Sequence, residues 1–121
     1  MSEQLLDKSR EVRQMELVAG SSKLGRVLCN RRLLVKEYGS DCAKRIQVRL
    51  NELSGVNSLY ELSPSSSSHC HKLHGEFAGK FAVYVSKNFR MIFEGYDLNN
   101  QPVSDRSKIV TIEILDVCDY H

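Results

Sequence analysis

The segment from His69 to Phe93, HCHKLHGEFAGKFAVYVSKNFRMIF, concentrates three histidines, three lysines and one arginine in what read as three consecutive strands. Imidazole titrates near neutrality and can serve as acid or base, while the planar fork of an arginine matches phosphate oxygens. A second titratable set, Asp119, Tyr120 and His121, follows a strand read from Lys108 to Leu115. The combination describes a cationic, histidine-bearing groove on a small sheet. The run His69-Cys70-His71-Lys72-Leu73-His74 also invites a zinc site. Strand alternation, however, sets His69 and His71 on one face and Cys70 and His74 on the other, so neither a metal nor another cofactor is expected.

The elements that must hold these residues can be read in order. Residues 1–14 are polar and poor in core-formers, an extension outside a single domain spanning 15–121. Met15 to Ala19 reads as a strand, and Gly20-Ser21-Ser22 as a turn with a possible helix cap. From Lys23 to Tyr38 the residues Leu24, Val27, Leu28, Leu34, Val35 and Tyr38 fall at helical spacing, predicting one amphipathic helix stopped by Gly39. A second helix, capped by Ser40 or Asp41, carries Ala43, Ile46, Leu50 and Leu53 on one face and Lys44, Arg45 and Arg49 on the other, ending near Gly55. A helical turn and a serine-rich loop lead to the sheet.

In the stretch from Lys80 to Ser86, alternation points Phe81, Val83 and Val85 one way and Lys80, Ala82, Tyr84 and Ser86 the other. After a turn at Lys87-Asn88, Phe89, Met91 and Phe93 repeat the core pattern with Arg90, Ile92 and Glu94 opposite. The nearly continuous apolar run from Lys108 to Leu115 predicts a central strand buried on both faces. The expected fold is α+β, two N-terminal helices packed on a small, mainly antiparallel sheet.

Composition narrows the classes. At 121 residues the chain holds one core, and its 41% apolar and 26% charged content is that of an ordinary globular domain. A net charge of +2 is too small to argue for nucleic acid, but Lys23 to Arg49 carries eight basic residues against two acidic ones. Those cationic helix faces read either as solvated surface or as a contact for RNA or an acidic partner. Cys29, Cys42, Cys70 and Cys118 lack metal-type spacing, and with no signal peptide or membrane-length apolar run the expected setting is a reducing cytoplasm.

The strings Cys70-His71-Lys72-Leu73-His74-Gly75-Glu76, Gly79-Lys80-Phe81-Ala82-Val83, Asn88-Phe89-Arg90-Met91-Ile92-Phe93-Glu94 and Ile114 through His121 resemble the HigB-type toxins of the RelE/ParE superfamily. That family's H-x-L-K-G segment, Y-R-[LI]-x-F strand and terminal D-Y-H recur in the same order, and the likeness runs from Met15 to the last residue. It implies a RelE-like microbial RNase fold and a ribosome-dependent mRNA endonuclease that needs no metal. It also implies a helix-turn-helix antitoxin as partner, with the ribosome and its mRNA as the other contacts. The implied catalytic set is His71, His74, Arg90, Tyr120 and His121. Arg90 would stabilise the transition state, His71 and His121 would transfer protons, and Tyr120 would stack on a base. Lys72, Lys80, Lys87 and Asp119 would contact or orient RNA, and Lys44, Arg45 and Arg49 would meet the ribosome or partner.

Two positions depart from the family pattern. His74 stands where the family has lysine, and Ser86 where some relatives have a second arginine. Other readings therefore stay open: a ParE-like module that inhibits gyrase by contact, or a weakened toxin kept as an antitoxin-binding regulator. Arg90 itself has a structural reading as a cross-strand partner of Glu94 or Glu113. Restoring the family residue with His74→Lys is expected to raise mRNA cleavage near neutral pH. A fall in the measured cutting rate would instead make His74 a proton-transfer group or a substrate contact.

Overall fold

The computed structural model describes residues 15–62 and 69–119, so the proposed 1–14 extension lies outside the described residues. The elements are β1 (Glu16–Ala19), α1 (Ser22–Leu28), α2 (Arg31–Tyr38), α3 (Ser40–Gly55), β2 (His71–Lys72), β3 (Phe81–Tyr84), β4 (Phe89–Tyr96) and β5 (Thr111–Asp119). Short 3-10 turns occupy Leu59–Glu61 and Gly75–Phe77.

The single helix expected from Lys23 to Tyr38 is two. Asn30 leaves helical geometry at φ −127° and its side-chain oxygen accepts from Leu33 N–H at 3.2 Å, opening a new helix. Asparagine bonds to nearby backbone more readily than it continues a helix, so apolar spacing alone hides the break. Ser21 caps α1 as expected, accepting from Leu24 N–H at 3.1 Å. Gly39, at φ 88°, ends α2 by donating to Val35 O at 2.8 Å and also stands at the N-cap of α3. Ser40 and Asp41 therefore belong to the first turn of α3 rather than to its cap. Asp41 there complements the positive end of the helix dipole.

The sheet order is β1-β5-β4-β3-β2, with β1 parallel to β5 and the other pairs antiparallel. The chain leaves β1 through all three described helices and re-enters the sheet at β2 on the opposite edge, so β1 and β5, neighbours in the sheet, are far apart along the chain, as a parallel pair requires. Those helices cover one face of the sheet. Leu34, Ala43, Ile46 and Leu53 pack with Phe81, Val83, Val85, Met91, Phe93, Ile112, Ile114 and Val117, and the rings of Phe81 and Phe93 stack at 5.3 Å. The other face carries only a small apolar floor of Leu73, Ala82 and Ile92, with Phe77, Leu115 and Cys118 against it. The alternation expected for β3 and β4 is observed.

β5 differs from its expectation. The strand begins at Thr111, because Asp105 to Lys108 form a turn closed by Lys108 N–H to Asp105 O at 3.0 Å. It is central but not buried on both faces. Ile112 and Ile114 face the helices, then the register with β4 shifts between Ile92 and Phe93, and Val117 faces the helices in turn. The extra residue, Leu115, changes the phase of the strand and sets two apolar residues, Ile114 and Leu115, side by side, while Ile109 and Val110 precede the strand.

Gly95 on β4 admits Ile109 into direct contact with its backbone. A Cβ there would lie 2.4 Å from Ile109 Cδ1 and 2.6 Å from Cγ1. Gly95→Ala is therefore expected to destabilise the fold by about 1–3 kcal/mol, the usual cost of overpacking. Urea unfolding would show a lower midpoint at an unchanged m-value. An unshifted midpoint would mean that Ile109 moves aside freely.

Candidate functional site

Register assigns the residues of the face that no described helix covers. One row runs His71, Ala82, Ile92 and Asp116 across β2, β3, β4 and β5; the next runs Tyr84, Arg90 and Cys118. Arg90 and Tyr84 are thus direct cross-strand neighbours, and the guanidinium carbon of Arg90 sits 5.0 Å from the Tyr84 ring centroid. Such a cation–π contact contributes about 0.5–1 kcal/mol at an exposed site and fixes the plane of the fork. Arg90 Nη1 also donates to the carbonyls of Ser86 and Phe89, each at 3.1 Å, which anchors it to the β3–β4 turn. Among the described residues, no hydrogen bond engages Arg90 Nε or Nη2. That edge can accept a phosphate.

The structural partner first considered for Arg90 is not the observed one. Glu94 and Glu113 take the phenol of Tyr96 instead, at 3.3 and 2.9 Å. His71 stands two strands away and two residues along from Arg90, roughly 12 Å between Cα atoms by ordinary strand spacings. Both stand on one face of the sheet, His71 on the edge strand β2 and Arg90 on β4 beside the β3–β4 turn. His71 Nδ1 lies 2.6 Å from the carbonyl oxygen of His69, and the His69 ring packs edge-on to Tyr84 at 5.8 Å.

Tyr84 is held from behind as well as above. Arg49 Nε donates to the Tyr84 carbonyl at 2.5 Å while Nη1 pairs with Glu52 at 2.9 Å. With its side chain only 11% exposed, Arg49 ties α3 to β3, an internal task for a residue read from sequence as a surface contact. Arg45 faces outward into a groove of about 670 Å³ between the start of α3 and the β3–β4 turn, which Tyr38, Cys42, Tyr84, Ser86 and Lys87 also line. Lys44 and Arg45 share the neighbouring exposed hollow along α3.

The remaining candidates separate. Lys80 is on the same face as Tyr84, at the far end of β3's approach, whereas Lys72 pairs with Phe81, on the other face, and lends charge to Asp105. Lys87 is exposed at the hairpin tip. His74 is exposed where the 3-10 turn begins and makes no capping bond. Asp119 pairs with Phe89, so β5 ends beside the turn that holds Arg90. Tyr120 and His121 lie outside the described residues.

Three of the cysteines are poor nucleophiles. Burial pushes the thiols of Cys42, Cys70 and Cys118 up, although a hydrogen bond to Ser86 and the charge of Arg45 partly oppose this at Cys42. Among the described residues no group of three or more His, Cys, Asp or Glu side chains is placed to hold a metal ion. Cys70 is buried beneath Arg106, away from His69 on Tyr84. Sequence reading missed Tyr84 and His69 as members of the site. Tyr84 carried a usable signal, since matching the core face of Phe81, Val83 and Val85 to that of Phe89, Met91 and Phe93 sets Tyr84 on the same sheet face as Arg90.

No protein-family model and no curated protein matches the sequence. Among solved structures, the chain is similar to a YoeB/ParE toxin from Agrobacterium tumefaciens, with a TM-score of 0.56 and 10% identity over 88% of this chain and 100% of that one. It is also similar to the YoeB-YefM complex from Staphylococcus aureus, with a TM-score of 0.52 and 15% identity over 89% of this chain and 98% of that one. At such identities the likeness shows the fold alone. It is an α+β fold, here with three helices and a five-stranded mixed sheet among the described residues. No described helix is long and apolar enough to cross a membrane.

At the opposite end of the open face, the hydrogen bond to Glu113, burial and the charge of Glu94 push the Tyr96 phenol from 10.0 up to about 12. The folded state therefore holds that proton more tightly than the unfolded chain. Its contribution is complete below pH 10 and is lost as pH rises toward 12. Unfolding titrations across that window are expected to show a steeper alkaline loss of stability in the wild type than in Tyr96→Phe. Equal slopes would place the tyrosine outside the linkage.

Proposed function

We propose that this chain is the toxin of a type II toxin–antitoxin pair and that it cleaves ribosome-bound mRNA without a metal. The observation that carries this reading is the pairing of Arg90 with Tyr84 on the sheet face that no described helix covers, its outer guanidinium edge without a hydrogen bond among the described residues, with His71 on the adjoining row. In the proposed reaction His71 removes the proton of a ribose 2′-hydroxyl and O2′ attacks the neighbouring phosphorus. The P–O5′ bond breaks as His121 protonates the departing oxygen, leaving a 2′,3′-cyclic phosphate and a 5′-hydroxyl. Arg90 matches the crowded phosphoryl oxygens, where fixed positive charge contributes most in the transition state.

Around that centre, Tyr84 and Tyr120 offer stacking surfaces, and Asp119 orients the end of β5. Arg45 and Lys87 border the groove beyond the turn and attract the flanking backbone, with Lys44 extending the charge toward the ribosome. Lys80 adds charge on the sheet face, His74 stands at its edge, and Lys72 acts only from a distance. Arg49 is assigned here to holding Tyr84. The HigB-type affiliation rests on the sequence motifs. A helix-turn-helix antitoxin is the proposed partner, in keeping with a structural neighbour solved as the YoeB-YefM complex. The proposed location is the cytoplasm, where translating ribosomes are.

The test is to add the full chain to a translation reaction and map mRNA ends by primer extension. Cuts are expected only on translated message, and Arg90→Ala is expected to reduce them roughly 10²–10³-fold, as removal of one transition-state donor does. Deleting His121 should likewise abolish them. Intact message together with blocked supercoiling by gyrase would replace this reading with the ParE-like one.

A further inference from the structure

His69 and Asn100 are the described non-glycine residues with positive φ, at 50° and 61°. Asn100 closes a tight turn, donating to Asp97 O at 2.9 Å, a usual place for a left-handed asparagine. His69 stands two residues before β2. Its conformation has two visible results. The carbonyl is directed at His71 Nδ1, 2.6 Å away, and the ring packs edge-on to Tyr84, itself covered by Arg90 at 5.0 Å. One residue thus touches both parts of the candidate site, the imidazole through its main chain and the arginine platform through its side chain.

The first contact determines a tautomer. A carbonyl oxygen only accepts, so Nδ1 of His71 must carry the proton, and in the neutral ring the lone pair then resides on Nε2. Free imidazole side chains favour the opposite arrangement, with the proton on Nε2. A bond at one ring nitrogen therefore selects which nitrogen does chemistry at the other.

We infer that His69 is a positioning residue for the cleavage site: its left-handed backbone presents a carbonyl that leaves Nε2 of His71 as the proton acceptor, and its ring braces Tyr84 beside Arg90. The purpose of that arrangement rests on the nuclease reading, whereas the tautomer itself does not. In the reaction, the 2′-hydroxyl proton moves to Nε2 and the electron pair left on O2′ forms the bond to phosphorus. The resulting imidazolium keeps its Nδ1–H on the His69 carbonyl.

The test is long-range proton–nitrogen correlation NMR on the ¹⁵N-labelled full chain at about pH 8, above the ordinary imidazole range. Wild-type His71 is expected to read as the Nδ1–H tautomer. His69→Asn removes the ring but readily keeps a left-handed backbone, so the tautomer should persist. His69→Val disfavours that backbone, and His71 should shift toward Nε2–H. In the translation assay the kcat of His69→Val is expected to fall roughly tenfold below that of His69→Asn, part of the roughly 10²–10⁴ that a placed acid–base group supplies. An Nε2–H wild type, an unchanged tautomer in His69→Val, or equal kcat for the two variants overturns the inference. If His69→Val does not fold, the wild-type and His69→Asn spectra still decide the tautomer. A wild type that holds Nδ1–H but leaves mRNA intact upholds the placement of His71 and removes the nuclease reading instead.

Discussion

Between Ile92 and Phe93 the pairing of β4 with β5 skips Leu115, and that skip sets the phase of everything beyond it. Before it, Ile112 and Ile114 face the helices; after it, Val117 does. Without the extra residue, Val117 would turn to the open face and Asp116 and Cys118 would turn into the core, because side chains alternate strictly along a strand. The bulge therefore lets a single strand feed a dry core along its length and still end with Asp116 and Cys118 beside Ile92 and Arg90. The geometry of the candidate site depends on this local irregularity as much as on any side chain within it.

Three arginines show how one chemistry is put to different uses by its surroundings. A guanidinium stays charged under all ordinary conditions, so a covered one needs acceptors arranged around it. Arg49 finds them in the Tyr84 carbonyl and Glu52, and Arg106 in the carbonyls of Leu62 and Cys70 with the Phe81 ring 5.2 Å away. Among the described residues, Arg90 uses only Nη1, on carbonyls of its own turn. The first two join elements to one another. The third holds its own turn, on a face that no described helix covers.

Much of this was legible in the chain. The period-2 pattern of Phe81, Val83 and Val85 against Ala82 and Tyr84 needs only burial on one side to fix it, and Arg90 falls opposite the core face for the same reason. Features that depend on single backbone bonds were hidden. The break at Asn30 is made by one side-chain acceptor, the capping role of Gly39 by one dihedral angle, and the phase change at Leu115 by one unpaired residue. Apolar spacing averages over such events. The importance of His69 was hidden most fully, since no pattern of residue types announces a positive φ. Lys72 and Arg49 show the converse, where charge suggested an exposed contact and register or burial assigned another place.

The clasp made by Arg106 has a consequence for how the chain can change. Its guanidinium holds the Leu62 carbonyl at 2.9 Å and the Cys70 carbonyl at 3.1 Å, the two sides of the serine-rich stretch Ser63-Pro64-Ser65-Ser66-Ser67-Ser68. Both flanks are thereby secured to a third point in the fold, independently of the residues that connect them. Loop-closure entropy grows only with the logarithm of length, about 0.6 kcal/mol for each doubling. The connection can therefore lengthen, shorten or change composition over evolutionary time with little effect on β2 and the histidines it carries. A fixed arginine in one loop gives sequence freedom to another.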